Sequence, residues 1–149
     1  MNRPPFILVA TLLTPLLFSQ TSHGQEKKKE ANAPIMEPNV AVPMRDGVIL
    51  RADIFRPAKP GKYPVLMGRT PYNKNGLHSS AKRFAKAGYI VVCQDARGRF
   101  ESGGQWESFV RFDTNDGRDG YDTVEWAAKL PGSTGKVGTF GASYNAFLQ

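Results

Sequence analysis

The chain has few of the residues on which many functional sites depend. Its 149 residues include one cysteine, Cys93, and two histidines, His23 and His78. One cysteine excludes an internal disulfide framework and a zinc site built from cysteines. The sequence also lacks a complete P-loop and a Gly-x-Gly-x-x-Gly motif before its last predicted helix, which disfavours phosphate and dinucleotide sites. Any mechanism that needs a histidine has only two candidates.

The net charge of +7 does not indicate a nucleic-acid-binding protein. Lys27–Lys29 form one run, and the other basic residues are scattered among carboxylates. Nucleic-acid-binding domains gather positive charge on one face, beside aromatic residues or within a known module. Neither pattern is present, so we expect no nucleic-acid partner. With 40% hydrophobic and 22% charged residues, the chain has the composition of an ordinary globular protein.

The N-terminus has the layout of a secretory signal peptide. A basic start is followed by an apolar stretch at Phe6–Phe18 and by small residues before a cleavage site between Gly24 and Gln25. The apolar stretch is shorter than the ~20 residues that span a bilayer, so no stable membrane span is expected. A buried helix of the fold is the alternative. We predict a signal peptide at residues 1–24, a secreted or periplasmic protein, and a flexible linker at residues 25–38.

Residues 39–149 alternate between predicted strands and helices. Apolar residues at every second position on both sides of Asp46-Gly47 predict a β-hairpin. A strand, a helix, a strand, a helix and a strand follow, predicted at Val65–Met67, Ser79–Ala87, Tyr89–Cys93, Asp116–Leu130 and Val137–Phe140. This order predicts an α/β fold with a mostly parallel sheet and flanking helices.

Two short segments that follow predicted strands carry candidate catalytic residues. Ligands of parallel sheets bind at these carboxyl ends of the strands. Gly141–Asn145 follows the last strand, as does the sharp turn that exposes a nucleophilic serine. A serine that caps an ordinary helix is the alternative at Ser143. Arg69–Lys74 follows an earlier strand, and Tyr72 within it could donate its hydroxyl to a developing oxyanion. A Pro-Tyr turn that packs on the core is the alternative there.

Five segments, in order, resemble the N-terminal part of one family of α/β-hydrolases, the CocE/NonD group, which is similar to cocaine esterase and X-prolyl dipeptidyl-peptidase. The segments are VPMRDGVILRADIFRP, YPVLMGRTPYNK, GYIVVCQDARGRFESGGQW, DGRDGYDTVEWAA and GKVGTFGASYNAF. The resemblance implies the N-terminal part of an α/β-hydrolase domain at residues 39–149. It also implies a small ester, amide or X-Pro peptide substrate and no organic cofactor.

The same resemblance assigns roles to three residues. Ser143 would be the nucleophile, the Tyr72 hydroxyl one oxyanion donor, and the Tyr144 N–H the second. Ala146 stands where the family's serine motif often has glycine. The segment that contains Asp95 is mainly scaffold in this family, so no catalytic role is expected for it.

The sequence does not supply the base that a serine nucleophile needs. In this fold the acid and the histidine follow the serine, but only six residues follow Ser143, and none is acidic or a histidine. His78 precedes the serine and is interpreted as a surface or loop-packing residue. We therefore expect an N-terminal fragment of a longer hydrolase that is nearly inactive by itself. The alternatives are a non-catalytic exported fragment or binding domain, and a nucleotide-binding Rossmann domain.

No metal site is expected from the acidic residues near the second predicted helix. Their spacing fails the EF-hand pattern, since it lacks glycine at the sixth position and glutamate at the twelfth. Capping of the helix by acids such as Asp119 and Asp122 is the preferred interpretation. Cys93 lies in an apolar strand and is interpreted as a buried residue rather than a reactive thiol. The oligomeric state stays open.

Overall fold

The computed structural model describes residues 33–106 and 115–149, so the predicted signal peptide and residues 25–32 of the predicted linker lie outside the described residues. The strands are β1 (Ile35–Pro43), β2 (Ile49–Arg56), β3 (Tyr63–Thr70), β4 (Ile90–Asp95) and β5 (Ser133–Thr139). The helices are α1 (His78–Lys86), α2 (Asp116–Ala128) and α3 (Tyr144–Phe147), with a 3₁₀ turn at Lys74–Leu77. Within those two ranges, no helix is both long and apolar enough to cross a membrane.

The strands form one mixed sheet in the order β1-β2-β4-β3-β5. β2 runs antiparallel to both β1 and β4, whereas β3 runs parallel to both β4 and β5. The parallel part therefore consists of the three strands that alternate with helices along the chain. This is the arrangement that the order of predicted elements indicated.

β1 and β2 are joined by the turn predicted at Asp46-Gly47. The Met44 carbonyl accepts from the Gly47 N–H at 3.0 Å, and the Met44 N–H donates to the Val48 carbonyl at 2.9 Å. Gly47 has a φ of 84°, which glycine adopts without the strain that a Cβ would add. The hairpin prediction is confirmed.

The start of β1 differs from the sequence prediction, because residues 35–38 were assigned to the flexible linker. In the structure they belong to β1, and residues 35–37 pair with β2. A β-bulge between Glu37 and Val40 shifts the register, and Asn39 within it has a φ of 55°. The Asn39 N–H donates to the Asp53 carboxylate at 2.8 Å. The bulge inserts an extra residue, so the alternation of apolar residues that marks a strand is interrupted there.

Apolar side chains are buried on both faces of the sheet. One face packs against Ala127 of α2, and its buried strand residues include Leu50, Ile54, Met67 and Val92. The other face packs against Ala81 and Ala85 of α1, and its buried strand residues are Phe55, Val91 and Cys93. This layering fixes the sheet between two helices and leaves its carboxyl edge open for loops.

Candidate active site

The carboxyl ends of the three parallel strands meet at one edge of the sheet. Thr70, the last residue of β3, lies opposite Asp95, the last residue of β4. The Ala96 N–H donates to the Thr70 carbonyl at 2.9 Å, and the Phe140 N–H, just beyond β5, donates to the Met67 carbonyl at 2.9 Å. The loops that follow these strands therefore lie beside one another and form the candidate active site.

Ser143 occupies a strained turn between β5 and α3. Its φ of 54° and ψ of −129° form a combination that residues other than glycine rarely adopt. Ser143 stands at the N-cap of α3, yet its side chain makes no capping hydrogen bond, and the residue is exposed. An ordinary capping serine has extended backbone and accepts from an N–H of the helix. The geometry is that of a turn which holds a serine hydroxyl clear of the sheet.

Gly141 permits this turn because α3 passes directly over it. A Cβ at Gly141 would lie 2.8 Å from the carbonyl carbon of Asn145 and 3.0 Å from the nitrogen of Ala146. Real Cβ atoms do not approach backbone that closely, so a larger residue would push α3 away. Asn145, where a Gly-x-Ser-x-Gly motif has its second glycine, lies within α3.

Tyr72 and Tyr144 lie together beside the turn. Tyr72 is 64% exposed, and its ring contacts the Tyr144 ring edge-on with the centroids 6.4 Å apart. The Tyr144 ring also contacts Trp106 at 6.0 Å and Phe147 at 5.9 Å. The structure thus brings the rings of both candidate tyrosines together, within an aromatic cluster of Tyr72, Trp106, Tyr144 and Phe147. Sequence reasoning missed Trp106 and Phe147, although Trp106 follows β4 at the edge of the sheet where ligands of parallel strands bind.

The loop that carries Tyr72 is anchored by a buried ion pair. Directly after Tyr72, Asn73 has a φ of 82°, and its side chain accepts from the Asn75 N–H at 3.0 Å. Lys74 then donates to the Asp95 carboxylate twice, from its N–H at 2.7 Å and from Nζ at 3.1 Å. Both Lys74 and Asp95 are buried. Asp95 therefore acts as scaffold for this loop, as the family resemblance implied.

A buried arginine binds the backbone just beyond α3, the helix that follows the Ser143 turn. Arg69 has no exposed surface, and its guanidinium donates to the Gln94 side chain at 2.9 Å and to the Leu148 carbonyl at 2.6 Å. Burial lowers the pKa of Arg69, and the negative charges of Asp119 and Asp116 oppose that effect. Because Leu148 follows α3, the contact ties β3 and β4 to the helix after Ser143. The sequence offered no signal for this contact.

Asp116 and Asp119 lie in the first turn of α2, as the helix-dipole interpretation predicted, and Asp119 and Asp122 also form ion pairs. Arg97 donates to Asp119 from Nε at 2.9 Å and from Nη2 at 2.6 Å, and these hydrogen bonds raise the Arg97 pKa above its usual value. Arg45 donates to Asp122 from Nη2 at 2.6 Å. The N-cap residue Asn115 makes no side-chain capping bond. Among residues 33–106 and 115–149, no group of three metal-ligating side chains is present.

The sequence predicted a surface or loop-packing His78, and in the structure this residue begins α1, is partly exposed and packs on strand β2. Its Nε2 lies 2.7 Å from the Asp53 carboxylate, and its ring contacts Phe55 with the centroids 5.0 Å apart.

Cys93 lies opposite Asp53 in the sheet. Burial, with a smaller contribution from Asp53, raises the pKa of the Cys93 thiol to about 12. Cys93 is thus an inert buried residue, as predicted.

The comparison with known protein families decides the identity. The sequence pattern of the X-Pro dipeptidyl-peptidase (S15) family matches residues 46–149. The chain belongs to that family. The chain is also 41% identical to the cocaine esterase of Rhodococcus sp. (strain MB1 Bresler) over 117 residues, and this aligned region covers 74% of the chain. The predicted family resemblance is confirmed.

Two solved structures of hydrolases share the fold. An α-amino acid ester hydrolase superposes with a TM-score of 0.68 at 28% identity, over 91% of this chain and 24% of that one. A CocE/NonD family hydrolase from Staphylococcus aureus superposes with a TM-score of 0.65 at 30% identity, over 77% and 24%. The predicted α/β-hydrolase class is therefore confirmed. The chain spans 20% of the length of the cocaine esterase that it matches.

Proposed function

We propose that this chain carries the nucleophile and both oxyanion donors of a serine hydrolase that cleaves an ester or amide through an acyl-enzyme. The observation that carries the proposal is the backbone of Ser143, an exposed residue whose strained φ of 54° accompanies a side chain that makes no capping hydrogen bond. Strain of this kind costs about 1–3 kcal/mol and persists where surrounding structure enforces it. A helix cap gives no reason for that cost, whereas a nucleophile does.

The proposed reaction begins with attack of the Ser143 hydroxyl oxygen on the carbonyl carbon of the substrate. The carbonyl oxygen becomes an oxyanion, which accepts hydrogen bonds from the Tyr72 hydroxyl and the Tyr144 N–H. The proposed base takes the proton of the Ser143 hydroxyl during the attack and gives it to the alcohol or amine, whose bond to the carbonyl carbon then breaks. The acyl group left on Ser143 is hydrolysed by water, which restores the Ser143 hydroxyl and releases the acid. Donors fixed in advance stabilise the developing charge because they need no reorganisation when it appears.

The general base and its acid are proposed to come from residues outside these 149. None of the six residues after Ser143 is acidic or a histidine, and His78 is held by Asp53 at 2.7 Å on the α1 side of the sheet. Removal of the base eliminates most of the catalytic advantage of such a serine. The 149-residue chain by itself should therefore be nearly inactive.

The substrate is proposed to be an acyl ester or a peptide with proline in its second position. The relatives support both possibilities, because the family description names an X-Pro dipeptidyl-peptidase and a 41% identical relative is a cocaine esterase. The signal-peptide layout of residues 1–24 supports export to the periplasm or the medium. N-terminal sequencing of the exported protein should find Gln25 as its first residue.

Labelling with a fluorophosphonate tests the proposal in the full-length protein from the gene that encodes this chain. We expect one covalent adduct at Ser143, and loss of turnover on the order of 10⁶-fold in Ser143→Ala. Ser79→Ala is the matched control, since Ser79 is an exposed serine on α1, away from the turn, and should keep both labelling and turnover. A folded full-length protein that neither labels at Ser143 nor hydrolyses esters or X-Pro anilides would be the non-catalytic exported domain instead.

A further inference from the structure

The loop that carries Tyr72 is held at several points by the segment that follows β4. The Thr70 carbonyl accepts from the Ala96 N–H at 2.9 Å, and the Pro71 carbonyl accepts from Arg99 Nε, also at 2.9 Å. The Pro71 carbonyl belongs to the peptide group that leads directly into Tyr72. Of these contacts, the one from Arg99 therefore acts closest to the Tyr72 side chain.

Arg99 is itself fixed in orientation by two aromatic rings. Its guanidinium carbon lies 5.3 Å from the centroid of the Phe100 ring and 5.5 Å from that of the Trp106 ring. A planar guanidinium is attracted to ring faces and can donate hydrogen bonds in its own plane at the same time. Arg99 can therefore hold the Pro71 carbonyl and the Trp106 ring together.

Trp106 connects Arg99 to the ring of Tyr144, the residue whose N–H is the second proposed donor. Its ring contacts the Tyr144 ring edge-on at 6.0 Å, and the Tyr144 ring contacts that of Tyr72 at 6.4 Å. The contacts close a ring that runs from Arg99 through Trp106 and Tyr144 to Tyr72, and back through Pro71 to Arg99. A displacement of Arg99 would thus reach the side chains of Tyr72 and Tyr144.

We propose that Arg99 is a positioning residue that sets the Tyr72 hydroxyl for oxyanion binding. The inference rests on the proposed function of Ser143 and Tyr72. Arg99 acts through the Pro71 carbonyl, and no contact of Arg99 with the substrate is required. Oxyanion stabilisation depends steeply on the donor's position, so a tilt of the Tyr72 ring lowers kcat more than substrate affinity.

The test uses Arg99→Ala and Arg99→Lys in the full-length protein. Arg99→Ala should lower kcat by about 10- to 100-fold with little change in KM. Affinity for a boronic-acid transition-state analogue should fall by the same factor as kcat/KM. Arg99→Lys should recover part of the loss, since an ammonium can donate to the Pro71 carbonyl but cannot stack as a plane. Arg83→Ala is the matched control, because Arg83 lies 5.2 Å from the Phe84 ring on α1 and should leave kcat unchanged.

A double-mutant cycle with Tyr72→Phe separates positioning from general support of the fold. If Arg99 acts through the Tyr72 hydroxyl, Arg99→Ala should cost little further activity in the Tyr72→Phe protein. Equal losses in both backgrounds, or an Arg99→Ala enzyme with unchanged kcat, would overturn the inference. If Arg99→Ala does not fold, the same cycle with Arg99→Lys decides. Turnover that survives in Ser143→Ala would instead contradict the proposed function itself.

Discussion

At the scale of single residues, the candidate site is marked by backbone conformations that ordinary side chains avoid. Ser143 has a φ of 54°, and Asn73, next to Tyr72, has a φ of 82°. Both residues stand at the carboxyl edge of the sheet, where the loops meet. Such conformations persist only where the surrounding structure enforces them. We propose that the strain is kept here because it fixes the positions of the nucleophile Ser143 and of Tyr72.

The backbone strain at Ser143 should be measurable as a difference in the free energy of unfolding between two variants. Ser143→Gly relieves the strained φ, whereas Ser143→Ala retains it, and both remove the hydroxyl. We expect Ser143→Gly to be more stable than Ser143→Ala by about 1 kcal/mol, since relief of strain exceeds the entropy that glycine adds to the unfolded chain.

Urea unfolding of the two full-length variants measures this difference. Asn75→Ala, an exposed substitution outside the turn, serves as a control for small surface effects. Equal stability of the glycine and alanine variants would mean that the positive φ of Ser143 carries no strain.

At the scale of elements, the site depends on how closely α3 packs on the strand that precedes it. Gly141 lies under the backbone of Asn145, and Arg69 donates to the Leu148 carbonyl just beyond the helix. Helix α3 is therefore held from both of its ends. The direction of the helix sets the direction of the Tyr144 N–H, one of the two proposed donors.

Gly141→Ala should displace α3 and reduce reactivity of Ser143. The new Cβ would meet backbone at 2.8 Å, and overpacking of this kind costs about 1–3 kcal/mol. We expect the rate of fluorophosphonate labelling to fall together with the midpoint of thermal unfolding.

Gly76→Ala is the control for this prediction, since a Cβ at Gly76 meets nothing within 4 Å. It should leave both the labelling rate and the unfolding midpoint near those of the wild type. A Gly141→Ala protein with a wild-type labelling rate would show that α3 does not need this close approach.

At the scale of the whole molecule, ion pairs connect α2 to the strands and loops. Asp119 binds Arg97 beyond β4, and Asp122 binds Arg45 in the hairpin turn region. The Arg97–Asp119 pair is largely buried, with side chains 9% and 1% exposed. Removal of one partner from such a pair leaves an uncompensated buried charge, which is strongly destabilising.

Acid should weaken the link between α2 and the hairpin. The hydrogen bond from Arg45 lowers the pKa of Asp122 in the folded protein. The charged Asp122 therefore stabilises the fold above its unfolded pKa of about 3.9, and this contribution is lost as pH falls through the lowered folded pKa. Asp122→Asn should be less stable than the wild type at neutral pH, and the difference should vanish in acid.

Free energies of unfolding between neutral pH and strong acid measure this dependence. Glu125→Gln is the control, because its pair with Lys129 is an exposed i,i+4 pair of the kind that contributes little. A constant difference between Asp122→Asn and the wild type at every pH would contradict the assignment.

Features that depend on a few neighbouring residues could be predicted from the sequence. Asp46-Gly47 predicted the hairpin because a tight turn needs a residue that tolerates positive φ. The periodicity of apolar residues predicted the three parallel strands and two helices, and therefore the α/β class. Gly141 before Ser143 predicted the sharp turn, because the small residue is required by its immediate neighbours. Each of these signals is local, so it can be read along the chain.

Contacts between residues far apart in the sequence could not be predicted, because they depend on how the whole chain packs. Arg97 and Asp119 are separated by 22 residues in sequence, and Arg69 and the Leu148 carbonyl by 79. No spacing rule connects such residues, since their contact depends on the packing of β3, β4 and α2. The start of β1 could not be predicted for the same reason. The bulge at Asn39 interrupts the strand pattern in the sequence, and pairing with β2 extends the strand across it. The strain at Ser143 likewise comes from the packing of β5 and α3 around it.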